Sequence, residues 1–135
     1  MIFFRFLANE YGLAGADNLA RAEADEAVDC MGDLFAAAVP IIVAAAEDRP
    51  PLVAKFTGET VPKIFALLEK RLAGRGGQFL AGNALSWADL NLFHMVNTIK
   101  ELGVASIKEY PLCDNLCQRV GNVPNIKHWM ENRPQ

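Results

Sequence analysis

The sequence predicts an all-α fold, a compact bundle of about six helices. Three observations carry that expectation. No run alternates apolar and polar residues between hairpin-forming turns. In the longest apolar segments hydrophobic residues return every three or four positions, one face of a 3.6-residue helix. The breaks between segments carry helix start and stop residues: Asp17 and Ser86 as N-caps, Gly12 and Gly74 as stops, Pro111 and Pro124 in first turns.

Ile2 to Tyr11 reads as a short helix closed by Gly12, and Gly15-Ala16-Asp17 as a turn into the next. A long helix is expected from about Asn18 to Glu47, with Ala24, Val28, Met31, Phe35 and Ala38 or Val39 on its apolar face. Pro40 should bend or end it, and Arg49-Pro50-Pro51 should break it. Leu52 to Ala73 is the second strong helix, with Val53, Phe56, Thr60, Ile64, Leu67 and Leu68 on one side and a kink expected at Pro62. Lys70 and Arg71 complement its negative end before the Gly74 stop. Residues 74–82 form a loop anchored by Phe79 and Leu80.

Ser86 to Leu102 follows as a buried helix with a capping box. Ser86 can accept from the Asp89 N–H, and the Asp89 carboxylate can reach back to the Ser86 N–H. Leu85 and Leu90 flank the cap as a hydrophobic staple. Loss of Asp89 is expected to cost about 0.5–2 kcal/mol, the range for a capping side chain. Short helices at about 111–120 and 124–132 complete the chain.

The 135 residues, 52% hydrophobic and 21% charged, suit one globular domain. A net charge of −3 argues against a nucleic-acid or anionic-membrane partner, which would favour a basic patch. The longest nearly uncharged run, Leu34 to Ala46, is too short to span a bilayer. Met1 to Ala8 is interrupted by Arg5 and followed by no cleavage pattern, so it is not read as a signal peptide. Cys30, Cys113 and Cys117 without such a signal point to a reducing, cytoplasmic setting. His94 and His128 have no ligand-spaced neighbours, so no metal site is expected.

Two groups could carry function. Asp25, Asp29 and Asp33 run along one helical face, which reads as a solvated surface or as an acidic surface that meets a cationic group. Phe35, Asn91 and Met95 could line a pocket, because Asn91 is a polar group in an apolar helix and must find a partner if buried. Tyr11, beside Gly12, reads as packing and Cys30 as a small core residue. No nucleophile triad or phosphate-cradling glycine loop can be argued from spacing.

Several stretches match a known family in order: Arg5-Phe6-Leu7-Ala8, Gly12-Leu13-Ala14-Gly15, Ala27-Val28-Asp29, Pro62-Lys63, Phe79-Leu80-Ala81-Gly82, Ser86-Trp87-Ala88-Asp89-Leu90, Val123-Pro124-Asn125-Ile126 and Arg133-Pro134. With them the chain resembles the all-helical C-terminal domain of cytosolic glutathione transferases, most closely the sigma class. That class includes haematopoietic prostaglandin D synthases, S-crystallins and many invertebrate transferases.

The resemblance implies a dimeric, cytoplasmic enzyme that uses glutathione as co-substrate and conjugates it to small hydrophobic electrophiles. It implies that residues 1–11 are the last helix of a thioredoxin-like domain, and that 12–135 are the helical domain. The rest of the thioredoxin-like domain, with its thiol-activating tyrosine, has no counterpart in these residues, so the chain alone is expected to be inactive. The match makes Asp33 the contact to glutathione bound by the neighbouring subunit, and Phe35, Asn91 and Met95 the electrophile-binding residues. Asn91 and Pro40 stand where prostaglandin synthases carry aromatics, so general conjugation is expected rather than prostaglandin isomerisation. The cap and staple of Ser86, Asp89, Leu85 and Leu90 are structural under this reading. The competing expectations are a stand-alone helical interaction module and a crystallin-like structural protein without catalysis.

Overall fold

Apolar residues at helical spacing become seven α-helices in a computed structural model that describes residues 2–104 and 106–134. Positions 1, 105 and 135 of the expected 1–11 and 12–135 units lie outside the described residues. The helices are α1 (Ile2–Glu10), α2 (Asn18–Val43), α3 (Arg49–Lys55), α4 (Val61–Gly74), α5 (Trp87–Glu101), α6 (Pro111–Gly121) and α7 (Pro124–Asn132). A π-helical turn, Phe56–Thr60, joins α3 to α4 without a break, leaving six helical bodies among the described residues, and there is no strand among them. Helix α5 lies centrally, against α1, α2 and α6. Leu34, Phe65, Leu72, Leu92, Ile99 and Leu116 form the fully buried centre.

Three boundaries differ from the sequence expectation, each for a local reason. Helix α2 stops at Val43, where the Ala44 N–H bonds the Pro40 carbonyl at 3.1 Å and Arg49 Nε donates to the Ala44 carbonyl. The next helix begins at Arg49, since Pro50 and Pro51 occupy a first turn, where a missing N–H costs no bond. Gly74 is still helical, and the chain turns at Gly76 and Gly77, both with positive φ, as the Gly77 N–H closes on the Leu72 carbonyl at 2.7 Å.

The kink expected at Pro62 takes the form of the π turn. Pro62 has no N–H for the carbonyl four residues back, and the Val61 N–H reaches the Phe56 carbonyl, five residues back. Leu67, expected on the buried face, is half exposed.

The loop after α4 is tied down by charged groups rather than by apolar anchors alone. Leu80 is fully buried, Phe79 only partly. Arg71 donates to the carbonyls of Leu80 and Glu23 and to the Glu26 carboxylate, so it bridges helices instead of simply complementing a helix end. Glu23 accepts from the Gly82 N–H and from Arg75, and these bonds hold its carboxyl below the ordinary value. On α4, Glu69 accepts from the N–H groups of Leu112 and Cys113, a cap for α6 supplied by a different helix.

Gly15 is the tightest backbone position. Its φ is +119°, and an added Cβ would lie 2.7 Å from the Arg21 nitrogen, a backbone atom that cannot swing aside. Gly15→Ala is expected to cost about 2–4 kcal/mol and to lower Tm by roughly 6–14 °C. A thermal melt that leaves Tm unchanged would refute this.

On α1, Ile2, Phe3, Phe4 and Phe6 are each more than half exposed, forming an apolar surface. Leu7 is partly buried and lines a cavity with residues of α5 and α2. The isolated chain should therefore self-associate at high concentration. A concentration-independent monomer in gel filtration would count against it.

Candidate functional site

Helices α1, α2 and α5 meet around a cavity of about 620 Å³. Its wall on α5 is a single helical stripe, Trp87, Leu90, Asn91, His94 and Met95, at spacings of three, four, seven and eight. Met31, Gly32 and Phe35 supply the α2 wall, and Phe4, Leu7 and Ala8 the α1 wall, with Tyr11 and Leu13 from the turn beyond.

Local bonds hold these walls in register. The Leu13 N–H bonds the Ala8 carbonyl at 2.7 Å, and the Trp87 N–H bonds the Leu13 carbonyl at 2.9 Å, so the turn after α1 is fastened to the first residue of α5. Arg5 pairs with Asp25 at 3.0 Å, joining α1 to α2, and its guanidinium lies 6.0 Å from the centre of the Trp87 ring.

At the base of α5, Asp89 is fully buried. Its Oδ2 accepts from the Ser86 N–H at 2.8 Å and from the Ser86 hydroxyl at 3.1 Å, and its Oδ1 accepts from the Leu80 N–H at 2.9 Å. The reciprocal capping box is present. Burial pushes the Asp89 carboxyl up, against the bonds from Leu80 and Ser86 that favour its charged form. Leu85 and Leu90 both pack partly buried on the core.

The cavity is largely apolar with a few polar groups. Asn91 Nδ2 is 3.8 Å from the Met31 sulfur, a weak acceptor. The Tyr11 hydroxyl and the His94 ring have no hydrogen-bond partner among the described residues, and the buried Trp87 indole N–H has no acceptor there. Among the described residues, no aspartate, glutamate, lysine or arginine lines the cavity. Such a site can bind and orient a largely apolar molecule.

The structure brings Phe35, Asn91 and Met95 together, with Met95 buried and Phe35 half exposed at the mouth. Asp33 is exposed on α2 and outside the lining, Asp29 is exposed, and Asp25 is spent on Arg5. Tyr11 does not pack as the sequence suggested: it is 75% exposed on the cavity's rim. Trp87, His94, Gly32 and the α1 residues were missed by sequence reasoning. The spacing of Trp87, His94 and Asn91 on one α5 face was the available signal.

A second depression, lined by Glu23, Glu26, Leu67, Lys70, Arg71, Gly74 and Arg75, has both its arginines and both its glutamates already paired with one another. None of the three thiols lines the cavity. Burial raises that of Cys30, burial with Glu69 raises that of Cys113, and burial pushes Cys117 up to about 12. Among the described residues no three potential ligands cluster as a metal site, and no helix is long and apolar enough to cross a membrane.

Comparison with known proteins places this geometry. Residues 33–133 match the family model described as glutathione S-transferase, C-terminal domain. A glutathione S-transferase of Gallus gallus and glutathione S-transferase alpha-4 of Rattus norvegicus are each 29% identical over 126 residues, 93% of this chain and 57% of their own length. The chain thus spans little more than half of these curated relatives. The solved prostaglandin synthase D of Nilaparvata lugens superposes with a TM-score of 0.88 at 27% identity, over 99% of this chain and 67% of that one. With 101 of its 135 residues inside the family model and the helical architecture matched along its length, the chain belongs to the glutathione S-transferase C-terminal domain family.

Proposed function

We propose that this chain is the electrophile-binding part of a glutathione transferase, and the observation that carries the reading is the 620 Å³ apolar cavity between α1, α2 and α5. Phe35, Asn91 and Met95 bind the electrophile. The walls strip water from it and hold its reactive carbon towards the glutathione sulfur, where proximity lowers the barrier to thiolate attack. Thiol activation lies elsewhere under this reading, since the one tyrosine of the described cavity wall, Tyr11, is 75% exposed at the rim, where water competes for a bond to a thiolate. We assign that task to a thioredoxin-like domain that residues 1–11 belong to, with α1 as its last helix. The active form is a cytoplasmic homodimer of sigma-like type, in which exposed Asp33 reaches glutathione on the neighbouring subunit. The likeness to the prostaglandin synthase D of Nilaparvata lugens supports the sigma-like assignment, while a relative named as alpha class weighs against it.

A glutathione-affinity column followed by a conjugation assay with 1-chloro-2,4-dinitrobenzene tests the division of labour. The 135-residue chain is expected to flow through and to leave the rate at background. Retention together with conjugation would overturn the assignment of thiol activation to another domain.

A further inference from the structure

We infer that Asn91 and His94 make this cavity selective for neutral molecules that present a hydrogen-bond acceptor, such as an aryl ketone, on an apolar body. The inference rests on the reading of the cavity as the electrophile site and names the chemistry it would favour. Asn91 and His94 are three residues apart on α5, so their side chains stand next to each other on one face. Neither is satisfied by the protein. The partly buried Asn91 amide meets only the Met31 thioether at 3.8 Å, and the ring of His94, an exposed residue at the cavity's edge, meets no partner among the described residues.

Among the described residues no aspartate, glutamate, lysine or arginine lines the cavity around them, and Arg5, 6.0 Å from the Trp87 ring, is occupied by Asp25. A carboxylate entering this cavity would lose its hydration with no cation to replace it. A ketone loses much less, and the two neighbouring N–H donors can return it. An apolar wall without donors would instead reject the ketone in favour of a hydrocarbon of the same shape, since water holds the ketone back. Asn91 and His94 reverse that preference.

Equilibrium dialysis of the 135-residue chain against three matched probes tests this: 2-acetylnaphthalene, its methylene isostere 2-isopropenylnaphthalene, and 2-naphthoate. The ketone is expected to bind at least as tightly as the isostere, and 2-naphthoate more weakly than either. Asn91→Leu and His94→Phe should each lower the ketone-to-isostere affinity ratio by about five- to tenfold, the value of one neutral hydrogen bond, with a thermal melt of each variant as the control for folding. A ratio that neither substitution changes, or tighter binding of the naphthoate, would overturn the inference and leave the cavity assignment standing. Failure of both neutral probes to bind would overturn the cavity assignment itself, and the inference with it.

Discussion

Asp89→Ala should destabilise the chain by about 3–5 kcal/mol, well beyond the ~0.5–2 kcal/mol of an ordinary cap. The reason is the number of groups left behind. Removing the carboxylate orphans the N–H groups of Ser86 and Leu80 and the Ser86 hydroxyl, in a place with no solvent to receive them. Each buried orphan costs about 1–3 kcal/mol, partly offset by no longer burying a charge. Asp89→Asn keeps the shape and one acceptor, so it should fall between. Because burial raises the folded-state value above the ordinary 3.8, the native protein holds the Asp89 proton to higher pH than the unfolded chain does. Asp89's contribution to stability therefore declines as pH rises through the window above 3.8 and is level beyond the raised value. The Asn variant should lack this slope. Urea unfolding at neutral pH decides the matter: an Asp89→Ala midpoint equivalent to less than about 1 kcal/mol of loss, at unchanged m, would sink the account.

Gly32→Trp should abolish the binding of apolar ligands, by more than about tenfold, without unfolding the protein. Gly32 lines the cavity from the middle of α2, and a Cβ built there meets no atom within 4 Å. A large side chain can therefore enter the cavity without displacing backbone. The same position makes Gly32→Ala a useful contrast. It removes a helical glycine and should add about 0.5–1 kcal/mol of stability while blocking little of the volume. Dialysis against an uncharged naphthalene probe, with a thermal melt of each variant, separates the two effects. If the Trp variant binds as the parent does, the cavity between α1, α2 and α5 is not where apolar ligands reside.

Much of the architecture could be read from the sequence because its determinants are local. Asp17 accepts from the Ala20 N–H as an N-cap should, and Pro111 and Pro124 open α6 and α7 where the first-turn rule puts them. Arg49-Pro50-Pro51 misled for an equally local reason: two prolines signal a break, yet in a first turn they remove no helical bond. Gly74 and Gly77 compete for one stop, and the choice is made by a hydrogen bond to Leu72 that composition does not reveal. The site was half legible. Phe35, Asn91 and Met95 stood out by residue type and face, whereas Trp87 beside a cap reads as core and His94 as an isolated surface residue. Only the approach of α1, a contact distant in sequence, turns their shared stripe into a wall. The bond from Leu80 to Asp89 was hidden for the same reason.

That bond has a kinetic consequence for the glycine-rich segment it crosses. Just before Leu80 the chain passes from the left-handed turn at Gly76 and Gly77 to exposed Gln78, the kind of backbone whose amide protons exchange with solvent through small local fluctuations. The Leu80 amide cannot follow them, because its release requires the first turn of α5 to come apart. Its proton should therefore exchange more slowly than those of Gln78 and Phe79, whose N–H groups make no such bond to α5, so that one loop amide reports the opening of the central helix's first turn.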